Sequence, residues 1–241
     1  MPQQISIETA DGTCPTELHR PQGPSTAGII LYMDAFGPRP ALAAMAERLA
    51  EAGYNVLVPD LFYRFGAYGP FATNAFSHEE SRQKLMAMIQ GTSQAMTEAD
   101  SGAFIAALTA AGVTGPIATL GYCMAGGRAL VAAAAYPDRV AAAFSFHGGG
   151  LASDAPDAPY HRVGTIRGRV YVGSAGVDNS FPPEQSARLA EALRRAEIDH
   201  VIENYVGMSH GWAVSDHSVY DRTGSERHWK RLLTALEETL S

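Results

Sequence analysis

Hydrophobic positions fall into short continuous runs that alternate with segments of helical period. Gly28-Ile29-Ile30-Leu31-Tyr32-Met33 is apolar throughout, as a strand buried on both faces should be. From Pro40 to Ala52, Leu42, Met45 and Leu49 recur at helical spacing, and Gly53 is a stop signal. Tyr54 to Val58 predicts a second strand, closed by Pro59, and the aromatic-rich stretch from 60 to 77 predicts a long irregular loop. Ser77 to Gly91 and Thr97 to Ala111 predict two helices. Thr97 is the expected N-cap of the second, with Asp100 three residues on as a weaker form of the capping box. Strand Ile117 to Leu120, helix Met124 to Tyr136 and strand Val140 to Phe146 come next, then an irregular stretch to Arg167. Strand Arg169 to Gly173, helix Pro183 to Arg195, strand His200 to Tyr205 and a last helix from His217 to Leu240 complete the pattern.

Repeated strand-then-helix order with buried strands implies an α/β fold: a mostly parallel sheet covered by helices on both faces. No linker or repeat interrupts the alternation, so residues 1–241 are expected to form a single domain.

Composition narrows the function. Hydrophobic residues make up 46% and charged residues 18%, which excludes a disordered tail or a long coiled coil. Lys plus Arg number 18 against 25 Asp plus Glu, a net charge of -7 that argues against a nucleic-acid partner. The N-terminus has neither a basic nor an apolar signal region, and no apolar run reaches about 18 residues. A cytoplasmic protein with no membrane partner is expected, as a monomer or small homo-oligomer. The only cysteines, Cys14 and Cys123, cannot build a disulfide framework or a four-thiolate zinc site. With no H-E-x-x-H or C-x-x-C pattern either, no metal is expected. Each thiol is therefore buried filler or reactive. Cys14, beside Pro15 with no base near in sequence, reads as structural.

Cys123 sits in Leu120-Gly121-Tyr122-Cys123-Met124-Ala125-Gly126-Gly127, between a predicted strand and a predicted helix. This is the setting of a nucleophile elbow, G-x-S-x-G, with Cys for Ser. A tight strand-to-helix turn needs small residues two before and two after the nucleophile, and here they are Gly121 and Ala125. The helix N-terminus adds unpaired N–H groups and a positive dipole end, favourable to thiolate and oxyanion alike. The alternative is a small hydrophobe filling a tight turn.

Chain order separates the two readings. An elbow enzyme needs an acid after a later strand and a His after the last one. Asp178 follows strand Arg169 to Gly173, and His210 follows strand His200 to Tyr205. Alone, Asp178 could be a helix cap and His210 a loop histidine; together they occupy the required order. His200 and His217 open predicted elements, and Asp154 and Asp157 lie in the wrong loop. His147-Gly148-Gly149-Gly150 looks like the oxyanion motif of some lipases, but that motif belongs before the nucleophile. It reads as a decoy, a glycine-rich turn able to line the pocket.

With these residues in view, the chain resembles the dienelactone hydrolase (carboxymethylenebutenolidase) family of the α/β-hydrolase fold over nearly its whole length. Gly121-Tyr122-Cys123 is similar to that family's elbow. Met33-Asp34-Ala35-Phe36-Gly37 matches its segment after an early strand, where the family usually has Glu at the position of Asp34. Pro59-Asp60-Leu61-Phe62-Tyr63-Arg64 resembles the segment ending in its substrate-carboxylate Arg. The resemblance implies a Cys123, His210, Asp178 triad and an oxyanion hole from the backbone N–H groups of Met124 and Ala35. It also implies hydrolysis of a lactone or activated ester without a cofactor. It further suggests that Asp34 keeps the thiol protonated until substrate binds, and that Arg64 triggers the change by pairing with Asp34 or with substrate. One departure matters: the family's second carboxylate-binding Arg is Val214 here. A less acidic ester or lactone is thus expected. The competing readings are a non-catalytic small-molecule receptor of the same fold and an acyltransferase using the same triad.

Overall fold

A computed structural model describes residues 2–69 and 71–240. Its core is one eight-stranded sheet in the order β1-β2-β4-β3-β5-β6-β7-β8. The strands are β1 (Gln3–Thr9), β2 (Gly12–His19), β3 (Gly28–Tyr32), β4 (Asn55–Pro59), β5 (Ile117–Tyr122), β6 (Val140–Phe146), β7 (Arg169–Val177) and β8 (His200–Ser209). β1 and β2 form an antiparallel hairpin, and β2 joins β4 antiparallel. Every later pairing is parallel. The central strands β3, β4 and β5 are buried at every position, which is why their sequences show no polar alternation.

Helices cover both faces. On one, α1 (Pro40–Glu51) meets α6 (Arg222–Leu240) where the Arg48 guanidinium lies over the Trp229 ring. On the other, α3 (Gln94–Ala110) packs against α4 (Ala125–Ala135), and α4 lies on β5 and β6. α2 (Glu79–Gly91) and α5 (Pro183–Arg195) complete the set. Among the described residues no helix is long and apolar enough to cross a membrane.

Four expectations change. The β1–β2 hairpin did not figure in the strand pattern. α3 begins three residues before Thr97: Ser93 is its N-cap and accepts from the Met96 N–H at 3.1 Å. Thr97 and Asp100 are instead buried inside that helix, Asp100 because Arg64 and Tyr63 pair with it. The last helix starts at Arg222, since residues 210–221 form successive turns closed by the Asp221 N–H on the Trp212 carbonyl. β7 and β8 also run beyond their expected ends. A register shift after Ala175 brings Val177 opposite Ser209, so the next residue of each strand is delivered to the same place.

Candidate active site

Strand order reverses direction between β3 and β5, and ligands of open α/β sheets bind at the carboxyl edge there. Cys123 leaves the end of β5 with φ +56°, a left-handed backbone uncommon for a residue with a side chain. The turn is as tight as an elbow requires: a Cβ on Gly121 would lie 1.9 Å from the Ala125 carbonyl oxygen. The Cys123 N–H is shared between the Phe146 carbonyl and Nδ1 of His147, at 3.2 Å each. Met124 follows in helical geometry as the N-cap of α4. Its N–H therefore belongs to the open end of a helix. Ala35, buried at the turn after β3, is on the same edge of the sheet.

Asp178 and His210, the residues just past Val177 and Ser209, meet directly. His210 Nδ1 is 2.7 Å from Asp178 Oδ2. The second carboxylate oxygen accepts from the Ser180 N–H at 2.8 Å and the Ser180 hydroxyl at 2.6 Å. Burial works against a charged His210, but its hydrogen bonds to Asp178 and Cys123 outweigh it and push the imidazole up to about 10. Burial would likewise raise Asp178, yet His210 and Ser180 hold it below the usual carboxylate range. The acid is therefore bonded to the base, and the thiol is near enough to the base to raise it.

Asp34 is fully buried and its carboxylate is already engaged. Arg39 pairs with both oxygens at 2.6 and 2.8 Å, His217 Nε2 is 3.1 Å away, and the Phe36 N–H donates at 3.0 Å. The cation beside this acid is thus Arg39, not Arg64. Arg39 wins because it opens α1 five residues on and can reach back with its fork; it also binds Asp216. Arg64 lies toward the β1–β2 hairpin, its guanidinium divided between Asp100 at 2.8 and 2.9 Å and Asp11 at 2.6 and 2.9 Å. Two carboxylates neutralise it, and its side chain is 13% exposed. Val214 is fully buried, so no cation stands there either.

Four residues here are not among those chosen from the sequence: Arg39, Ser180, Asp216 and His217. Only Ser180 could have been found, since Asp-x-Ser is a local turn pattern whose hydroxyl and amide both serve the aspartate. The His147 turn, read as a decoy for an oxyanion motif, is not peripheral: the His147 ring packs edge-on against His210, with centroids 5.1 Å apart.

The sequence model of the dienelactone hydrolase family matches residues 15–240. The chain belongs to the dienelactone hydrolase family. Like its family, it is a hydrolase. It is 27% identical to the carboxymethylenebutenolidase of Rhodococcus opacus, over 100% of this chain and 94% of that one. Among solved structures, it is similar to a dienelactone hydrolase-like promiscuous phosphotriesterase from metagenomic libraries. That similarity has a TM-score of 0.80, 24% identity, and coverage of 100% of this chain and 99% of the other. It is also similar to a dienelactone hydrolase from Anabaena variabilis, with TM-score 0.68, 18% identity, and coverage of 100% and 99%. These structural likenesses share the α/β-hydrolase fold with this family member.

Proposed function

We propose that this dienelactone hydrolase family member cleaves an uncharged or weakly acidic lactone or activated carboxylic ester through Cys123, His210 and Asp178. The observation that carries the reading is the contact set of Cys123 on a left-handed elbow, His210 beside it, and Asp178 2.7 Å behind the imidazole. The Cys123 sulfur attacks the carbonyl carbon, and its proton is held by His210. The tetrahedral oxyanion is received by the N–H groups of Met124 and Ala35. Collapse expels the alkoxide, which takes the proton from His210 and leaves an acyl-thioester. Water then attacks that carbonyl while His210 accepts its proton, the C–S bond breaks, and the acid departs as the thiol is restored. Asp178 orients the imidazole and stabilises its charged form throughout.

A thiolate leaves readily, so an intermediate with a poor leaving group reverts; activated esters and enol lactones suit this nucleophile better than amides. The substrate class follows from the cations. Arg64 is neutralised by Asp100 and Asp11, and Val214 stands where the family resemblance would place a second Arg. A free carboxylate on the substrate would therefore lack the bidentate anchors it needs.

A panel of lactones and aryl esters, run with wild type and Cys123→Ala, tests the reading. Turnover that survives the substitution rejects Cys123 as nucleophile. Iodoacetamide labelling of Cys123 that proceeds at a free-cysteine rate, with or without His210, would point to a receptor instead. Products trapped as new esters when alcohols are added would mark acyl transfer.

A further inference from the structure

We infer that the turn His147–Gly150 is the seat on which the three parts of the proposed triad are assembled, with His147 as a positioning residue for the nucleophile. The inference rests on the thiol-hydrolase reading and extends it to a residue outside the triad. Each part of the site is tied to this turn, Asp178 by way of Ser180. His147 Nδ1 accepts from the Cys123 N–H, and its ring packs edge-on against His210. A Cβ on Gly126 would lie 2.7 Å from the Gly148 Cα, so the first turn of α4 leans directly on this backbone. The Gly150 N–H donates to the Ser180 carbonyl at 2.7 Å, and Ser180 in turn holds Asp178. The turn is therefore bonded to the nucleophile and to the acid loop, and packed edge-on against the base.

The chemistry of His147 suits the task. As an acceptor from an N–H, Nδ1 must be unprotonated, which fixes the proton on Nε2. The ring is fully buried, and burial, followed by the nearby His210, His217 and His228, pushes it well below the ordinary histidine value. It stays neutral beside His210, so the only charged imidazole of the two is the one that faces the thiol. Its own backbone is left-handed, φ +40°, and is pinned by its N–H to the Gly173 carbonyl at 2.8 Å. Cys123 and His147 thus leave neighbouring strands in the same uncommon conformation and hold each other there. Strain of this kind persists only where the surroundings over-determine it.

Three substitutions separate the acceptor from the ring. His147→Asn keeps a carbonyl acceptor near Nδ1 and suits left-handed backbone. His147→Phe keeps the ring and loses the acceptor. His147→Gly relaxes the backbone and loses both, and it serves in place of the Phe variant if that chain does not fold. Readouts are kcat and KM on the best aryl ester, the iodoacetamide rate at Cys123, and Tm. The expected order is wild type, then Asn, then Phe or Gly. For the last group kcat and the alkylation rate should fall about ten- to a hundredfold, with KM nearly unchanged. An Asn variant as impaired as the Phe or Gly variant, or a Phe or Gly variant that works like wild type, overturns the inference. Alkylation orders the variants even if no ester is turned over, so failure of the hydrolase reading and failure of this one give different results.

Discussion

Two aspartate–histidine pairs stand on the carboxyl edge of the same sheet, and the proposed function assigns chemistry to only one of them. Asp178 and His210 are 2.7 Å apart; Asp34 and His217 are 3.1 Å apart. Their carboxylates are both buried and both held below the usual range, in each case against the effect of burial. The difference lies in the other partners. Asp178 has the hydroxyl and amide of Ser180, which are neutral, so its charge acts on His210 and, with Cys123, raises it to about 10. Asp34 has a guanidinium across both oxygens as well as His217, so its charge is divided between two partners. An Asp–His pair becomes a proton-handling device when nothing stronger competes for the carboxylate and a nucleophile waits at the far ring nitrogen. Otherwise it is a fastening. Asp34, Arg39, His217 and Asp216 fasten the loop carrying His210 to the loop carrying Ala35.

The comparison is broken most severely at the nucleophile. Cys123→Ala should remove turnover down to the uncatalysed background, a loss of about 10⁴-fold or more. Asp178→Asn should follow, at about 10³- to 10⁴-fold in kcat, because the amide cannot stabilise the imidazolium and favours the wrong tautomer. The parallel change Asp34→Asn should cost kcat about tenfold, through loss of loop position. Steady-state kinetics of the three variants on one aryl ester decide it. If Asp34→Asn and Asp178→Asn are equally inactive, the two pairs do not differ in the way argued.

Asp34→Asn also bears on the thiol gate implied by the family resemblance. A gate acts by charge on the sulfur, so removing the carboxylate would speed alkylation of Cys123 at low pH. A fastening acts by position, so alkylation would slow or stay level while Tm falls. Removing one partner of a buried pair typically costs about 3–5 kcal/mol, although here Asp216 remains to hold Arg39. The iodoacetamide rate against pH, set beside a melting curve, distinguishes the two.

pH sharpens the contrast further. His210 is raised above its ordinary value, so the stability it contributes is complete below about pH 6.5 and is lost as pH rises through about 10. Asp178 is lowered, so its contribution is present above about pH 4 and is lost on acidification. Tm of wild type relative to Asp178→Asn should therefore be highest between about pH 4 and pH 6.5 and shrink toward both pH 10 and pH 3. An advantage that stays constant from pH 6 to pH 10 would contradict the raised imidazole.

How far these differences can be read from sequence depends on whether a contact is local. The central strands declare themselves because burial on both faces removes polar alternation from β3, β4 and β5. The elbow is legible because Gly121 has to clear the Ala125 carbonyl four residues on, a constraint contained within one turn. Asp178 and His210 are legible through chain order, although the extensions of β7 and β8 that align them are not, since Ser174-Ala175-Gly176 reads as a turn. The β1–β2 hairpin escapes because it alternates weakly, and several of its positions are exposed. Arg39 and Arg64 were open to exchange for a different reason. Arg39 is only five residues from Asp34, but what withdraws Arg64 is distant in sequence: Asp11 and Asp100 capture its guanidinium.

The smallest effect is expected at the other thiol. Cys14 lies on β2, fully buried, with its sulfur near the Asp60 carbonyl at 3.4 Å and the Thr16 hydroxyl at 3.7 Å. Burial, with added repulsion from Asp60 and Asp100, pushes its thiol up to about 12, despite the opposing hydrogen bond from Thr16. It is therefore a protonated, inaccessible group at any pH where the fold persists, and thiolate is the form that reacts. Iodoacetamide should label one thiol per native chain and two per unfolded chain. Cys14→Ser should leave kcat and KM within about twofold and lower stability by about 1 kcal/mol, the cost of trading a small hydrophobe for a hydroxyl in a close-packed strand. Because both thiols belong to the same molecule, the experiment is its own control. Native labelling at Cys14 would mean that the β2–β4 seam opens far more readily than its pairing implies, and the contrast between filler and nucleophile would fail at its simpler end.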